Sequence, residues 1–284
     1  MCDEFIHPGL VDDARITRRT FGLIAVAAAG AAQAAAPKAA VDEKDVLIKT
    51  PDGTADAALF TPAKAGTYPA VLMWPDIMGL RPAFRDMGRR LAGEGYVVLV
   101  PNPFYRSKKA PVLDGPINFS DPKTREILTG YRKAITSVPN DAKAFFAFLD
   151  MQPKTNKRRK AGVQGYCMSG PFAIQTAATL PDRIGAVATF HGGGMATKDP
   201  DSPHLLIPKT KARFLILQAQ NDDAKDPETK VLLKEAFAAA KRPATVEVYP
   251  ADHGWTVPGS QVYDAAQAER AWSALLQLYR VALT

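Results

Sequence analysis

The chain of 284 residues is poor in the side chains that cross-link proteins or hold metals: it has two cysteines and four histidines. Two cysteines permit one disulfide at most, and Cys2 lies at the extreme N-terminus, ahead of what reads as an export signal. The mature chain is therefore expected to keep a single thiol, Cys167, which has nothing to pair with in an oxidising compartment. It is then either an inert core residue or a working group. Cysteine and histidine do not cluster at ligand spacing, so no metal and no cofactor is expected. Long apolar runs are lacking too. Residues 21–32 form an apolar stretch of 12 residues, well short of the roughly 20 that a membrane-spanning helix needs. That stretch follows the twin-arginine pattern Thr17-Arg18-Arg19-Thr20-Phe21-Gly22-Leu23 and precedes a small-residue cleavage site, Ala32-Gln33-Ala34. Residues 1–34 are expected to be removed by the twin-arginine export route. Residues 35–284 then form the mature protein, periplasmic or secreted and without a stable membrane anchor.

Charge excludes less. The formal net charge is +7, and loss of the signal removes three basic residues (Arg15, Arg18, Arg19) and four acidic ones (Asp3, Glu4, Asp12, Asp13), making the mature chain slightly more basic. This favours anionic substrates or surfaces. The densest basic run, residues 154–160, has no interleaved aromatics and stands just before an apolar strand pattern, so it reads as a solvated loop rather than a nucleic-acid patch.

What is present is an alternation of strand and helix patterns. Residues 45–50 and 55–60 flank the turn former Pro51-Asp52-Gly53 as a hairpin. Short buried-strand runs follow at residues 68–74, 96–100, 161–166, 185–190, 214–218 and 245–249. Helical spacing occupies residues 82–93, 141–150, 170–180, 228–240 and 263–278. The pattern predicts one α/β domain with a mostly parallel sheet and helices on both faces. Residues 101–139, rich in Pro, Lys and aromatics, break the alternation and are expected to cover the site.

Within that frame, Gly165-Tyr166-Cys167-Met168-Ser169-Gly170 joins a strand pattern to a helix pattern and has the form of a nucleophile elbow with a thiol in the hydroxyl's place. Positions two either side of the nucleophile must be small, and they are Gly165 and Ser169. Ligands bind beyond the carboxyl ends of parallel strands, where Asp76, Cys167, His191, Asp222 and His253 fall. In the α/β-hydrolase arrangement the chain order is nucleophile, acid, histidine, which Cys167, Asp222 and His253 satisfy. Asp223 and Asp226 compete with Asp222 but also suit helix capping. His191 precedes the acid and is read as a supporting residue. Met168 N–H and Ile77 N–H are the expected oxyanion donors, the first one residue past the nucleophile, the second on the loop after the third strand.

Five ordered segments resemble the dienelactone hydrolase family of the α/β-hydrolase superfamily. They are Trp74-Pro75-Asp76-Ile77-Met78-Gly79, Val100-Pro101-Asn102-Pro103-Phe104, the Cys167 elbow, Ala219-Gln220-Asn221-Asp222, and Tyr249-Pro250-Ala251-Asp252-His253-Gly254-Trp255. The resemblance extends over residues 44–282 and implies the α/β-hydrolase fold and hydrolysis of a small ester or lactone, an anionic one included, through a thioester acyl-enzyme. It also implies that Asp76 acts as a switch on the resting thiol and that Arg106 grips a substrate carboxylate. Phe104 and Trp255 are candidates to line an apolar pocket. The chain departs from the family pattern at Ser169, Ala219 and Asp76, and Val257 stands where a second basic residue of the carboxylate clamp would be. Two other readings keep the same scaffold: a non-catalytic periplasmic binding protein, and a thiol redox sensor.

Overall fold

A computed structural model of the protein describes residues 39–113 and 121–284; the twin-arginine segment, the cleavage site and Cys2 lie outside the described residues. The chain opens with the expected hairpin, β1 (Val41–Thr50) and β2 (Gly53–Pro62), paired antiparallel in register from Val41 opposite Pro62 to Thr50 opposite Gly53. It continues through β3 (Ala70–Trp74), α1 (Pro82–Gly93), β4 (Val97–Pro101), α2 (Pro122–Lys133), α3 (Val138–Asp150), β5 (Ala161–Tyr166) and α4 (Gly170–Thr179). The second half adds β6 (Ile184–Phe190), β7 (Arg213–Ala219), α5 (Gln220–Lys225), α6 (Glu228–Ala239), β8 (Ala244–Tyr249) and α7 (Ala265–Ala282). The eight strands and the five expected helices follow the alternation read from the sequence, with boundaries displaced by a few residues; α2 falls in the segment expected to cover the site, and α5 is an addition.

The eight strands form one sheet in the order β1-β2-β4-β3-β5-β6-β7-β8. Strand β2 pairs antiparallel with both neighbours, and every pair from β4 to β8 is parallel. Central strands β3, β4 and β5 are buried at every position, which is why β3 and β4 read as apolar runs rather than alternating ones; β5 carries one buried polar residue, Gln164, bonded to the Tyr166 and Tyr279 hydroxyls. One core layer packs α3, α4 and α6 residues such as Phe145, Ile174 and Phe237 on one face of the sheet. The other packs Phe84 and Leu91 of α1 and Leu275 and Tyr279 of α7 on the opposite face. At about 25 cal/mol per Å² of apolar surface removed from water, these two layers supply the main drive for folding.

All the parallel strands end on one side of the sheet, and the functional side chains are mounted there. The order of β3 and β4 is inverted relative to the chain, so the loops leaving β3 and β5 are neighbours: Trp74, the last residue of β3, lies opposite Gly165 of β5. This adjacency sets the loop carrying Ile77 beside the elbow carrying Cys167. Among the described residues no helix is long and apolar enough to cross a membrane.

Candidate active site

Cys167 leaves β5 with φ +55°, a left-handed conformation rare for a residue with a side chain. The local sequence makes the turn possible. A Cβ on Gly165 would lie 2.1 Å from the Ser169 carbonyl oxygen, so only glycine fits where strand and helix cross. Ser169, the departure from a second glycine, is small enough and adds bonds: its Oγ accepts from Tyr166 N–H at 2.9 Å and directs its proton toward the Trp74 and Tyr166 carbonyls at 2.9 and 3.0 Å. The hydroxyl thus fastens the elbow to the end of β3. A single 3-10 turn, Cys167–Ser169, leads directly into α4, placing Met168 N–H among the unpaired donors of a helix start. Those donors and the aligned peptide dipoles favour negative charge at that end.

His253 stands on the loop between β8 and α7 and is half-buried. Its Nδ1 meets Asp222 Oδ2 at 2.5 Å. Its backbone N–H donates to Asn221 Oδ1 at 2.9 Å, so the acid loop grips the histidine loop twice. The Cys167 thiol is the third group acting on His253: burial pulls the imidazole pKa down, but bonds to Asp222 and to Cys167 outweigh it and lift it to about 10. The competing aspartates are engaged elsewhere. Asp223 pairs with Lys230 at 2.6 Å, and Asp226 accepts from Thr229 Oγ1 at 2.7 Å at the start of α6. Asp222 lies in the first turn of α5, a short helix that the sequence pattern did not announce.

Ile77, on the loop after β3, and Cys167 both border a small apolar cluster formed by Phe104, Val112, Leu128 and Met168. Leu128 comes from α2, whose cap is Asp121 accepting the Thr124 N–H at 2.8 Å. The segment expected to cover the site therefore does so with a helix, and Phe104 lies in the apolar cluster as the sequence suggested.

A model of the dienelactone hydrolase family matches residues 55–283. The chain belongs to the dienelactone hydrolase family. A Synechocystis sp. protein provisionally named a carboxymethylenebutenolidase is 28% identical over 257 residues, covering 86% of this chain and 99% of that one. The carboxymethylenebutenolidase of Rhodococcus opacus is 25% identical over 243 residues, covering 83% of this chain and 90% of its own length. Among solved structures, the dienelactone hydrolase of Anabaena variabilis superposes with TM-score 0.60 at 16% identity, covering 86% of this chain and 99% of that one. A metagenomic dienelactone hydrolase-like promiscuous phosphotriesterase gives TM-score 0.71 at 22% identity, covering 86% and 100%. These superpositions establish the α/β-hydrolase fold, and membership of the family makes the chain a hydrolase of the dienelactone hydrolase type.

Asp76 and Arg106, which the resemblance offered for substrate work, and Trp255, a pocket-lining candidate, are placed differently here. The Asp76 carboxylate is not turned to the thiol: it is bridged by Arg81 at 2.6 and 2.8 Å and accepts the Met78 N–H at 2.9 Å. With Gly79 N–H on the Asp76 carbonyl and Arg81 also on the Gly79 carbonyl, the pair staples the loop that carries Ile77. Arg81 went unread in the sequence, although an acid five residues before a cation across a Gly turn is a visible signal. Arg106 is no free clamp either. Its fork is bidentate to Asp141 at 2.8 and 2.9 Å, reaches Asp52 at 2.5 and 3.0 Å, and stacks on Tyr105 4.4 Å away. Although burial alone would lower its pKa, Asp141 and Asp52 raise it further above its usual value. It ties the β1–β2 turn to α3. Trp255 is wholly buried, stacked on Tyr249 with ring centres 5.3 Å apart, and belongs to the core beneath the histidine loop rather than to a pocket wall. Val257 is buried beside it and brings no cation to the site.

Proposed function

We propose that the protein hydrolyses a small carboxylic ester or lactone through Cys167, His253 and Asp222, by way of a thioester on Cys167. The observation that carries this reading is the constellation around His253: one imidazole bonded at Nδ1 by Asp222 and coupled to the Cys167 sulfur on a left-handed elbow. The His253 imidazole, its pKa lifted to about 10, is the base that takes the thiol proton, and the thiolate so formed is the nucleophile.

The thiolate attacks the carbonyl carbon, forming the C–S bond while the carbonyl pair moves to oxygen. Met168 N–H and Ile77 N–H receive that oxyanion. Collapse breaks the C–O bond, and the His253 imidazolium protonates the departing alkoxide. Water then gives a proton to His253, attacks the thioester, and releases the acid and the thiol. Asp222 holds the tautomer and offsets the ring's charge throughout.

The apolar cluster of Phe104, Met168, Leu128 and Val112 beside Cys167 suits an uncharged acyl group. Arg106 held by two aspartates and Val257 in place of a base remove both arms of a carboxylate clamp. A neutral small ester or lactone is therefore the proposed substrate. The test is alkylation: iodoacetamide should modify one thiol in the folded mature protein and abolish turnover of a small aryl ester. A Cys167→Ala variant with full activity would sink the proposal. The twin-arginine motif further supports export to the periplasm or beyond. Replacing Arg18 and Arg19 by Lys should retain the full-length chain in the cytoplasm, and unchanged export would argue against that route.

A further inference from the structure

We propose that His191 is a positioning residue that fixes the direction in which His253 presents Nε2 to Cys167, an inference that rests on the catalytic reading of Cys167 and His253. One hydrogen bond, Nδ1 to Asp222, cannot fix an imidazole. It leaves the ring free to swing about the bonded axis, and a swing of Nε2 by about 1 Å is enough to cost a large factor in rate. A second contact must stop the swing, and the His191 ring supplies it. Its centre lies 4.9 Å from that of His253, with the planes 57° apart.

The wall is itself immobilised. His191 is 1% exposed and meets Thr256 Oγ1 through Nε2 at 3.0 Å. Trp255 packs edge-on against it at 5.2 Å, and Tyr166 lies 6.1 Å away. The backbone is held as firmly. His191 has φ +43°, an unfavourable left-handed conformation that persists only where surroundings impose it. Its N–H donates to the Leu217 carbonyl at 2.8 Å, and two residues later Gly193 N–H donates to the Cys167 carbonyl at 3.2 Å. Gly170 and Gly192 cross so closely that a Cβ on Gly170 would lie 2.8 Å from the Gly192 Cα. The turn after β6 is thus bonded to the elbow on one side and to the histidine loop on the other.

The chemistry of the ring suits a wall rather than a second base. The titratable groups facing it are His253 and Tyr166. Burial first, and the neighbouring His253 charge second, push its pKa well below the usual histidine value, so it stays neutral beside an imidazolium. Nδ1 is buried without a hydrogen-bond partner among the described residues. Placing the proton on Nε2, donated to Thr256, leaves a bare lone pair there instead of an unsatisfied N–H, which is the cheaper arrangement.

The experiment uses the mature protein with two readouts, steady-state hydrolysis of an alkyl ester and the pH profile of Cys167 alkylation by iodoacetamide. His191→Ala removes the wall and should lower kcat about tenfold or more with KM changed less than about twofold. It should also shift the acid limb of the alkylation profile. His191→Phe combined with Thr256→Val restores a ring without a titratable group and should recover kcat to within about fivefold of wild type. Wild-type kcat and an unmoved alkylation profile in His191→Ala would overturn the proposal, as would failure of the ring-restoring pair to recover activity. Should the alanine variant not fold, Thr256→Val alone decides: a kcat lowered about threefold or more supports the proposal, and an unchanged kcat overturns it. Because alkylation reads the Cys167–His253 pair without a substrate, a profile shift in a protein that hydrolyses no ester would retain the positioning role while refuting the hydrolytic one.

Discussion

Two histidines whose ring centres are 4.9 Å apart are pushed in opposite directions along the pKa scale. His253 is lifted to about 10 and His191 is driven well below its usual value. Burial opposes charge on both, more strongly on His191, which is 1% exposed, than on half-buried His253, and depth alone would not lift His253 above its ordinary value. Partners do: His253 has the Asp222 carboxylate on Nδ1 and the Cys167 sulfur beyond, whereas the His191 ring has, among the described residues, only the Thr256 hydroxyl. A desolvated imidazole keeps its proton when an anion is bonded to it and gives it up when the neighbour is a neutral hydroxyl. The contrast supports the proposed division, one ring for proton transfer and the other for support.

The comparison breaks most completely if the charged member is removed. His253→Asn should lower kcat/KM for a small ester by about 10³-fold or more while leaving the fold intact, since a half-buried loop side chain is lost and no core residue with it. Asp222→Asn should cost about 10²–10⁴-fold by removing the anion that separates the two rings, and should bring the His253 titration, followed by NMR, back toward its ordinary range. An Asn variant in which His253 still titrates near 10 would show that Asp222 is not the cause.

pH sharpens the same contrast in the unmodified protein. His253 has a folded pKa raised above its ordinary 6.5. Its contribution to stability is therefore fully present below about pH 6.5 and is lost as pH rises toward 10. The difference in melting temperature between wild type and Asp222→Asn should shrink across that window. Turnover should follow a related course: hydrolysis of an alkyl ester, whose leaving group needs the imidazolium proton, should decline above about pH 10, and an aryl ester should decline less. The smallest effect is expected at Arg106. Arg106→Ala should raise KM little, and equally for acidic and neutral esters, while lowering the melting temperature through loss of the Asp141 and Asp52 pairs. A selective rise for acidic substrates would return the residue to the substrate.

The fold was largely legible because its signals are local. Buried parallel strands write themselves as apolar runs, and the Gly165 contact that forces a glycine is visible as a glycine. Cys167, Asp222 and His253 follow from chain order on such a sheet, and the structure sets His253 Nδ1 on Asp222 at 2.5 Å and Cys167 close enough to raise the imidazole pKa. What the sequence concealed depends on where long side chains end. Arg106 was expected on the substrate, but its fork is captured by Asp52 and Asp141, one of them 54 residues and the other 35 residues away. Asp76 turns to Arg81 for the same reason. Trp255 follows His253 by two residues yet points into the core, because the loop reverses there: its N–H returns to the Asp252 carbonyl at 3.0 Å. Helix α5 was hidden by its brevity and by polar residues with no apolar period.

The most direct test of the account is mass spectrometry of the mature protein quenched during turnover of a slow neutral ester. The account predicts an acyl group of the expected mass on the peptide containing Cys167, increased in amount when Asp222→Asn slows its hydrolysis and absent from Cys167→Ala. Turnover of the same ester with no adduct on Cys167, or an equal adduct in Cys167→Ala, would contradict it.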